Sequence, residues 1–277
     1  MDWNKTKTMF IIVFLILDIF LFVQFSRQYS DSKIEQLKED PSLEDRLKDA
    51  EITYNISFPS ESIKVQYISA KTKKFTEKEI KELVNQTVTI GPNKTSLFST
   101  FKKPEKLNSS FDPIQLETFI SENMLYGNQY KYWEYDKDKN VIIFYQTYED
   151  KQFFKNDSGQ LVLILNDKNE VVSYKQTILE KMEKRGGEKA LPIMTAIGNL
   201  YAKNMIFAKS EVVKAELGYY TLIPQTESQM LVPTWHFVVK HGKVADDLFV
   251  NAIDGRVIPK NDKETETETG TETEILE

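Results

Sequence analysis

An apolar run near the N-terminus, from Met9 to Phe25, is the feature that most constrains this chain. It reads MFIIVFLILDIFLFVQF, and its 17 residues span about 26 Å as an α-helix, the short end of what crosses a bilayer. Trp3 and Tyr29 flank the run where amphipathic rings favour the membrane–water interface. No small-x-small cleavage site follows it, so a retained anchor is predicted rather than a cleaved signal peptide.

The basic residues on either side of the run hardly decide which end of this helix faces the cytoplasm. Lys5 and Lys7 precede the run, and three basic residues follow it within about fifteen positions. Because a short N-terminal tail usually stays cytoplasmic, residues 1–8 are expected in the cytoplasm and the bulk of the chain outside it. Residues 9–25 are the predicted transmembrane helix.

A carboxylate, Asp18, lies in the middle of the run. A lone charge there costs about 2.5–3.5 kcal/mol on insertion scales. Because residues three and four apart share a helix face, we predict one face that contacts another membrane helix, with Asp18 hydrogen-bonded to it. The alternative is a protonated or water-reached Asp18 in a short, tilted helix. The predicted partner-binding face comprises Ile11, Phe14, Leu15, Asp18, Leu21, Phe22 and Phe25.

The rest of the chain has the composition of a folded protein. Of its 277 residues, 40% are hydrophobic and 12% aromatic, which argues against a disordered chain. The net charge is -6, and lysine and glutamate are mixed along the sequence, so no nucleic-acid partner is expected. There is no cysteine, which excludes disulfides, thiolate catalysis and cysteine-based zinc sites.

Residues 26–49 are charged and helix-prone and are predicted to form a juxtamembrane stalk, with Ser42 beginning a short helix after Pro41. Residues 50–182 are the predicted first extracytoplasmic α+β subdomain. Its alternating apolar positions favour strands at 51–69, and the segment 88–112 is expected to be a loop because of its Gly-Pro and Lys-Pro pairs.

Several further elements are predicted in this first subdomain. Thr76 with Glu79 forms a capping box, and Asp112 with Pro113 begins another helix. Two antiparallel hairpins follow: Tyr130–Tyr135 with Val141–Tyr148, and Leu161–Leu165 with Val171–Ile178.

A charged segment containing two glycines, Glu183–Glu188, is the predicted boundary to a second α+β subdomain, residues 183–259. A helix around Leu191–Phe207 precedes its strands. The fold class is therefore α+β, a single N-terminal transmembrane helix followed by antiparallel sheets with packed helices in two subdomains. From residue 260, repeated Glu and Thr predict a disordered acidic tail, 260–277. The strands of the second subdomain are expected at Val212–Leu222, Thr234–Lys240, Leu248–Ile253 and Arg256–Ile258.

Motifs that carry chemistry are absent from the sequence. His236 and His241 do not have the spacing of a metal-binding pair, and His236 is expected on the strand face opposite Trp235. There is no nucleophile elbow, P-loop or dinucleotide-binding glycine motif. We therefore expect a protein without catalytic activity, cofactor or metal. Three residues at alternate positions have oxygen-bearing side chains, as in a calcium-binding loop: Asp136, Asp138 and Asn140. The glycine and glutamate that such a loop requires further along are missing, so we interpret this segment as a hairpin turn.

Two resemblances add to this reading. The start of the chain, MDWNKTKTMFIIVFLILDIFLFVQF, resembles that of the YycI (WalI) family of low-GC Gram-positive bacteria. The matching features are Met1 to Asn4, Lys5, Lys7 and the mid-membrane Asp18, and the overall length and layout agree apart from the tail. Residues 188–258 also resemble a PepSY-type unit, a helix followed by Pro233-x-Trp235 and Asn251-Ala252-x-Asp254-Gly255-x-Val257.

The YycI resemblance implies a non-enzymatic regulator in the cell membrane with an extracytoplasmic α+β domain. Such a protein acts with a YycH-like protein on a WalK/YycG-type sensor kinase, whose two-component system controls cell-wall metabolism. The complex forms through transmembrane helices and extracytoplasmic domains. An alternative function is that of a tethered module that binds or inhibits a cell-wall hydrolase or a protease, as PepSY-type units in general imply.

Overall fold

The computed structural model describes residues 3–35, 42–57, 62–107, 111–222 and 228–259. The chain divides into two compact units, Met1–Ala50 and Glu51–Glu277. The predicted acidic tail, 260–277, lies outside the described residues, and so do Pro41 and the side chains of Lys5 and Phe25.

The described residues of the first unit form two helices. Helix α1 runs from Trp3 to Glu35 and contains the whole apolar run, and α2 runs from Leu43 to Asp49. The Ser42 hydroxyl accepts a hydrogen bond from the Asp45 amide at 3.1 Å, which satisfies one of the free N–H groups at the helix start. The predicted beginning of the short helix at Ser42 is confirmed.

In the described residues of the second unit there are fourteen strands and three α-helices. The helices are α3 (Glu77–Ile80), α4 (Pro113–Asn123) and α5 (Ile193–Ala202). The strands are β1 (Thr53–Tyr54), β2 (Lys64–Thr72), β3 (Gln86–Ile90), β4 (Leu97–Lys106), β5 (Tyr130–Asp136), β6 (Val141–Tyr148), β7 (Lys151–Phe154), β8 (Gln160–Leu165), β9 (Glu170–Gln176), β10 (Leu179–Lys189), β11 (Glu211–Thr221), β12 (Ser228–His241), β13 (Val244–Asn251) and β14 (Val257–Ile258).

These strands form one connected, mainly antiparallel sheet. Its main path is β10-β2-β12-β11-β7-β6-β8-β9-β4-β3, with β13 and β14 added beside β12, β5 beside β6 and β1 beside β11. Only β1 and β7 run parallel to β11 among the described pairs. Both predicted hairpins form, β5 with β6 and β8 with β9, so the predicted α+β class is confirmed.

The segment 88–112, expected to be a loop, instead contains most of β3 and β4, and that prediction is wrong. Gly91 and Pro92 lie in the connection between the two strands. Pro104 lies inside β4, where the pairing with β9 is interrupted between Thr100 and Glu105. Because a proline has no N–H to donate, it is tolerated where the ladder is interrupted.

The charged segment Glu183–Glu188, expected to break the fold, lies within strand β10. Glu183 pairs with Ser69 and Glu188 with Val65 of β2, and the register shifts once just before this stretch, between Glu180 and Glu183, and once within it, between Arg185 and Glu188. Gly186 adopts φ +67° there, a conformation that glycine accepts without strain. Charged side chains suit β10 because it ends the main path of the sheet, where one edge has no strand partner on that path. The division into two subdomains stays a prediction.

Apolar side chains from both predicted subdomains meet at β7. Phe153 lies in a buried cluster with Ile68, Leu179, Tyr219 and Leu231. Its neighbour in β7 points to the opposite face, as alternation along a strand requires, and lies in a second cluster. That cluster comprises Phe154, Tyr220, Phe249 and Ile258. Side chains from before and after Glu183 in the sequence therefore pack together in the same clusters.

The predicted capping box at α3 is confirmed and extends into a polar cluster. Glu79 accepts hydrogen bonds from the Thr76 amide at 2.9 Å and from the Tyr126 hydroxyl at 2.7 Å. Lys73 Nζ lies 2.9 Å from Glu79 Oε1. Burial acts to raise the pKa of Glu79, but the hydrogen bonds from Thr76, Tyr126 and Lys73 outweigh it and lower the pKa from 4.5 to about 2. The carboxylate therefore joins three separate segments.

Glu79→Gln is expected to lower the free energy of unfolding at neutral pH by about 1–2 kcal/mol, a typical loss for a cap with extra hydrogen bonds. A lowered pKa stabilises the fold fully above the unfolded value of 4.5 and progressively less as pH falls toward 2. The difference between wild type and variant in urea unfolding should therefore shrink over this interval. A difference that grows with acid would contradict this role; Glu82→Gln, at an exposed position of the same segment, is the control.

Candidate functional site

The predicted partner-binding face lies on a continuous helix. The apolar window Lys7–Gln24 of α1 has a mean hydropathy of 2.2, and none of it is buried within the structure. Near its start, Lys7 Nζ lies 5.4 Å from the centre of the Trp3 ring. Among the described residues this is the one helix long and apolar enough to cross a membrane, which is consistent with single-pass anchoring.

The helical backbone places six of the predicted residues on one side. At about 100° per residue, they all fall within about 60° of Asp18, and all six are exposed. The side chain of Phe25 is outside the described part. Within the described part of the chain this face is exposed, and its role in partner binding stays a prediction. The six are Ile11, Phe14, Leu15, Asp18, Leu21 and Phe22.

A second polar site, which sequence reasoning missed, surrounds His236 in the sheet. His236 lies on β12 directly opposite Glu216 of β11. Asp247 of β13 pairs with Val238, two residues further along β12, and is therefore the diagonal neighbour of His236 on the same face. The side chain of His236 is only 2% exposed. Three adjacent strands thus bring one imidazole and two carboxylates together.

Both ring nitrogens of His236 face a carboxylate. Nδ1 lies 2.9 Å from Glu216 Oε1, and Nε2 lies 2.6 Å from Asp247 Oδ1. A neutral imidazole has one N–H and can donate to only one of them, whereas the doubly protonated ring donates to both. Lys214 Nζ adds a further positive charge 2.7 Å from Glu216 Oε1. His236 is therefore placed between two carboxylates, one at each ring nitrogen.

The pKa of Glu216 reflects the hydrogen bonds that its carboxylate accepts in this site. Partial burial acts to raise the pKa of this carboxyl, but the hydrogen bonds from His236 and Lys214 outweigh burial and hold its pKa below the ordinary value. Because both ring nitrogens are engaged, His236 in this arrangement does not offer a free nitrogen for proton transfer. The site connects β11, β12 and β13 through side-chain contacts.

Aromatic side chains enclose the imidazole. Its ring stacks on Phe249 with 5.0 Å between centroids and 18° between planes. The ring centroids of Trp133 and Phe154 each lie 5.0 Å from the ring centroid of His236. Contacts of this kind between aromatic rings add to the free energy gained by burial. The cluster therefore ties β5 and β7 to the β11–β13 part of the sheet.

The remaining polar candidates are separate from this site. His241 is exposed, and its Nδ1 lies 3.4 Å from Ser210 Oγ. Asp136 accepts hydrogen bonds from the Asp138 and Lys139 amides, both at 3.0 Å, so the predicted hairpin turn is confirmed. Within the described ranges, no three His, Asp or Glu side chains are grouped so that they could hold a metal ion.

The family model of the YycI protein matches residues 31–253 of this sequence. The chain belongs to the YycI family. The match begins beyond the apolar run, so it is independent of the N-terminal residues on which the resemblance rests, and the predicted YycI membership is confirmed. YycI is a family of regulatory proteins rather than enzymes, and membership supports a role in the WalK/YycG regulatory system. No curated protein matches the sequence.

The solved structures that resemble this YycI chain in fold include the following three. A protein from Eubacterium rectale ATCC 33656, titled uncharacterized, has 10% identity and a TM-score of 0.43 over 76% of this chain and 91% of its own. The Bacillus megaterium YpeB C-terminal domain has 12% identity and a TM-score of 0.40, covering 72% and 88%. YycH from Bacillus subtilis has 9% identity and a TM-score of 0.40, covering 74% and 54%. At these scores, no function is drawn from them.

Proposed function

We propose that this YycI chain is a single-pass, non-enzymatic regulator of a WalK/YycG-type sensor kinase, acting with a YycH-like partner. The N-terminus faces the cytoplasm and the second unit lies outside it. Family membership and the single apolar helix support this proposal. The regulated process, by the same resemblance, is cell-wall metabolism.

The observation that carries the proposed mechanism is Asp18 in the middle of an exposed apolar helix. A carboxylate at the bilayer centre is costly unless it has a partner, and residues of this kind usually face another helix or a water-filled cavity. A hydrogen-bond donor on a kinase or YycH-like helix would remove that cost. We therefore assign partner binding to the Asp18 face.

The test is co-purification of the tagged, detergent-extracted chain with the kinase and the YycH-like protein. Asp18→Leu is expected to reduce recovery about fivefold or more, since an interhelical hydrogen bond contributes about 1–2 kcal/mol. Asp18→Asn should retain most binding because its amide still forms hydrogen bonds. Unchanged recovery with Asp18→Leu would refute the assignment.

Two phenylalanines provide a matched control for the apolar part of this face. Phe14 and Phe20 are 59% and 57% exposed, but Phe14 lies about 40° from Asp18 around the helix and Phe20 about 160° away. Phe14→Ala is expected to weaken co-purification, and Phe20→Ala to leave it nearly unchanged. Equal effects would show that the helix has no preferred face.

Replacing residues 9–25 by an unrelated apolar span separates this proposal from the tethered-module alternative. We expect kinase regulation to be lost, since the new span lacks the Asp18 face. Retained regulation would instead favour a module that acts through its second unit alone, for example on a hydrolase or protease.

A further inference from the structure

An exposed group of basic and apolar side chains lies at one end of β11, β12 and β13. It combines the connection from α5 to β11, residues 203–210, with the turn between β12 and β13. We call it the basic–apolar patch. Its residues are Phe207, Lys209, Lys240, His241, Lys243 and Val244, all of them exposed.

Two apolar tips form the protruding part of the patch. Phe207 is 57% exposed and Val244 is 61% exposed. The Phe207 ring lies 5.8 Å from the ring of His241, and His241 pairs with Val244 across the turn. Gly242, at φ +62°, begins the two-residue turn, as a tight hairpin requires. Phe207 and the hairpin tip therefore belong to one surface.

Lysines surround these tips. Lys209, Lys240 and Lys243 are exposed, and Lys203 ends α5 four residues before Phe207. The nearby acidic groups are Glu211, opposite Lys240 across the β11–β12 pair, Glu51, 3.8 Å from Lys209, and Asp246, which pairs with Val239 two residues after Val244. The four lysines outnumber these three carboxylates by one, whereas the whole chain carries a net charge of -6. The patch is thus basic on an acidic protein.

The patch lies beside the segment through which the chain enters the second unit. The Thr53 amide donates to the Ser210 carbonyl at 3.0 Å, and β1 pairs with the first two residues of β11. Residues 51–54 are the first of this unit, and the apolar window of α1 ends only 27 residues earlier, at Gln24. The patch therefore lies next to the residues through which the chain enters the second unit.

We propose that the basic–apolar patch docks on the anionic surface of the bilayer that anchors α1. Exposed aromatic and aliphatic tips enter the headgroup region while the flanking lysines meet lipid phosphates. The patch consists of protruding tips rather than a groove, which suits a fluid surface better than the side chains of a protein partner. Docking would hold the second unit close to the membrane. This proposal rests on the proposed membrane anchoring by α1, but not on binding of the kinase.

The chain contains no cysteine, so a single spin label reports one position. Val244→Cys is labelled at the patch, and Val84→Cys, at a valine that is 74% exposed just before β3, is the matched control. The full chain is reconstituted in vesicles of phosphatidylcholine alone or mixed with phosphatidylglycerol. Accessibility of each label to oxygen and to a water-soluble nickel complex is measured by power saturation.

At position 244 we expect oxygen access to rise and nickel access to fall in the anionic vesicles. At 1 M salt, where screening acts within about 3 Å, the label should return to water. Position 84 should stay aqueous throughout. Replacing Lys209, Lys240 and Lys243 together by Gln should weaken docking roughly tenfold or more, given the usual contribution of each lysine near anionic lipid.

Three results would overturn the proposal: a label at 244 that stays water-exposed, one that is equally protected in neutral vesicles, or one protected only at high protein density. The last would identify a second copy of the chain as the occupant. Because flotation of the chain with vesicles reports anchoring by α1 separately, failure at position 244 would leave the Asp18 experiment unaffected.

Discussion

His236→Ala is expected to lower the free energy of unfolding by about 3 kcal/mol. Its removal leaves Glu216 and Asp247 facing each other without the imidazole that each contacts at 2.9 and 2.6 Å. Breaking a buried ion pair usually costs about 3–5 kcal/mol, and the carboxylates here are partly exposed, 33% and 35%, which reduces the loss. The lost stacking on Phe249 adds to it.

Urea unfolding of the full chain in detergent, followed by tryptophan fluorescence, measures this loss. Trp133 lies 5.0 Å from His236 by ring centroids, so its emission reports on the cluster. His241→Ala, at the exposed histidine, provides the control and should change stability by less than about 0.5 kcal/mol. Equal effects of the two substitutions would contradict a stabilising role for the His236 site.

The second large effect is expected from Gly127→Ala, which should lower the free energy of unfolding by about 3 kcal/mol or more. A Cβ at this position would overlap with the carbonyl oxygen and the carbonyl carbon of Ile120. Both are backbone atoms of α4 and cannot move away as a flexible side chain does. The turn before β5 must therefore separate from α4, whose Leu116 and Ile120 are buried in the core.

Gly187→Ala provides a comparison in the same chain. The nearest atoms to a Cβ there are side-chain atoms of Gln66 at 3.9 Å, an ordinary van der Waals distance. Thermal unfolding monitored by circular dichroism should show a clear decrease in Tm for Gly127→Ala and almost none for Gly187→Ala. A Gly127→Ala protein as stable as wild type would show that α4 and this turn do not pack as closely as the structure places them.

Elements that depend on neighbouring residues could be predicted from the sequence. The capping box at Thr76 and Glu79, the β5–β6 and β8–β9 hairpins and the start of α2 at Ser42 each need a few adjacent residues and a turn. The helical run of α1 follows from apolar length alone. All of these formed where they were expected.

Elements whose partners are distant in the chain were missed or misread. Charge and glycine in 183–188 favour a break, but β10 pairs with β2, more than a hundred residues earlier. The Gly-Pro and Lys-Pro pairs of 88–112 favour a loop, but β4 gains its place in the sheet from β9. Strand preference depends on the neighbouring strands and on burial, and neither is visible in a local window.

Among the candidate sites, too, those formed by neighbouring residues could be recognised in the sequence, whereas those formed by distant residues could not. The apolar helix, the predicted Asp18 face and the YycI resemblance could be identified from the sequence, because an apolar run and an N-terminal motif are local patterns. Only the tertiary structure decided that His236 meets Glu216, Asp247 and Trp133, since these residues come from four strands. The basic–apolar patch also depends on folding, because Phe207 and Val244 come together only when β11, β12 and β13 pair. Side chains far apart in the sequence meet through sheet register, which long-range pairing sets.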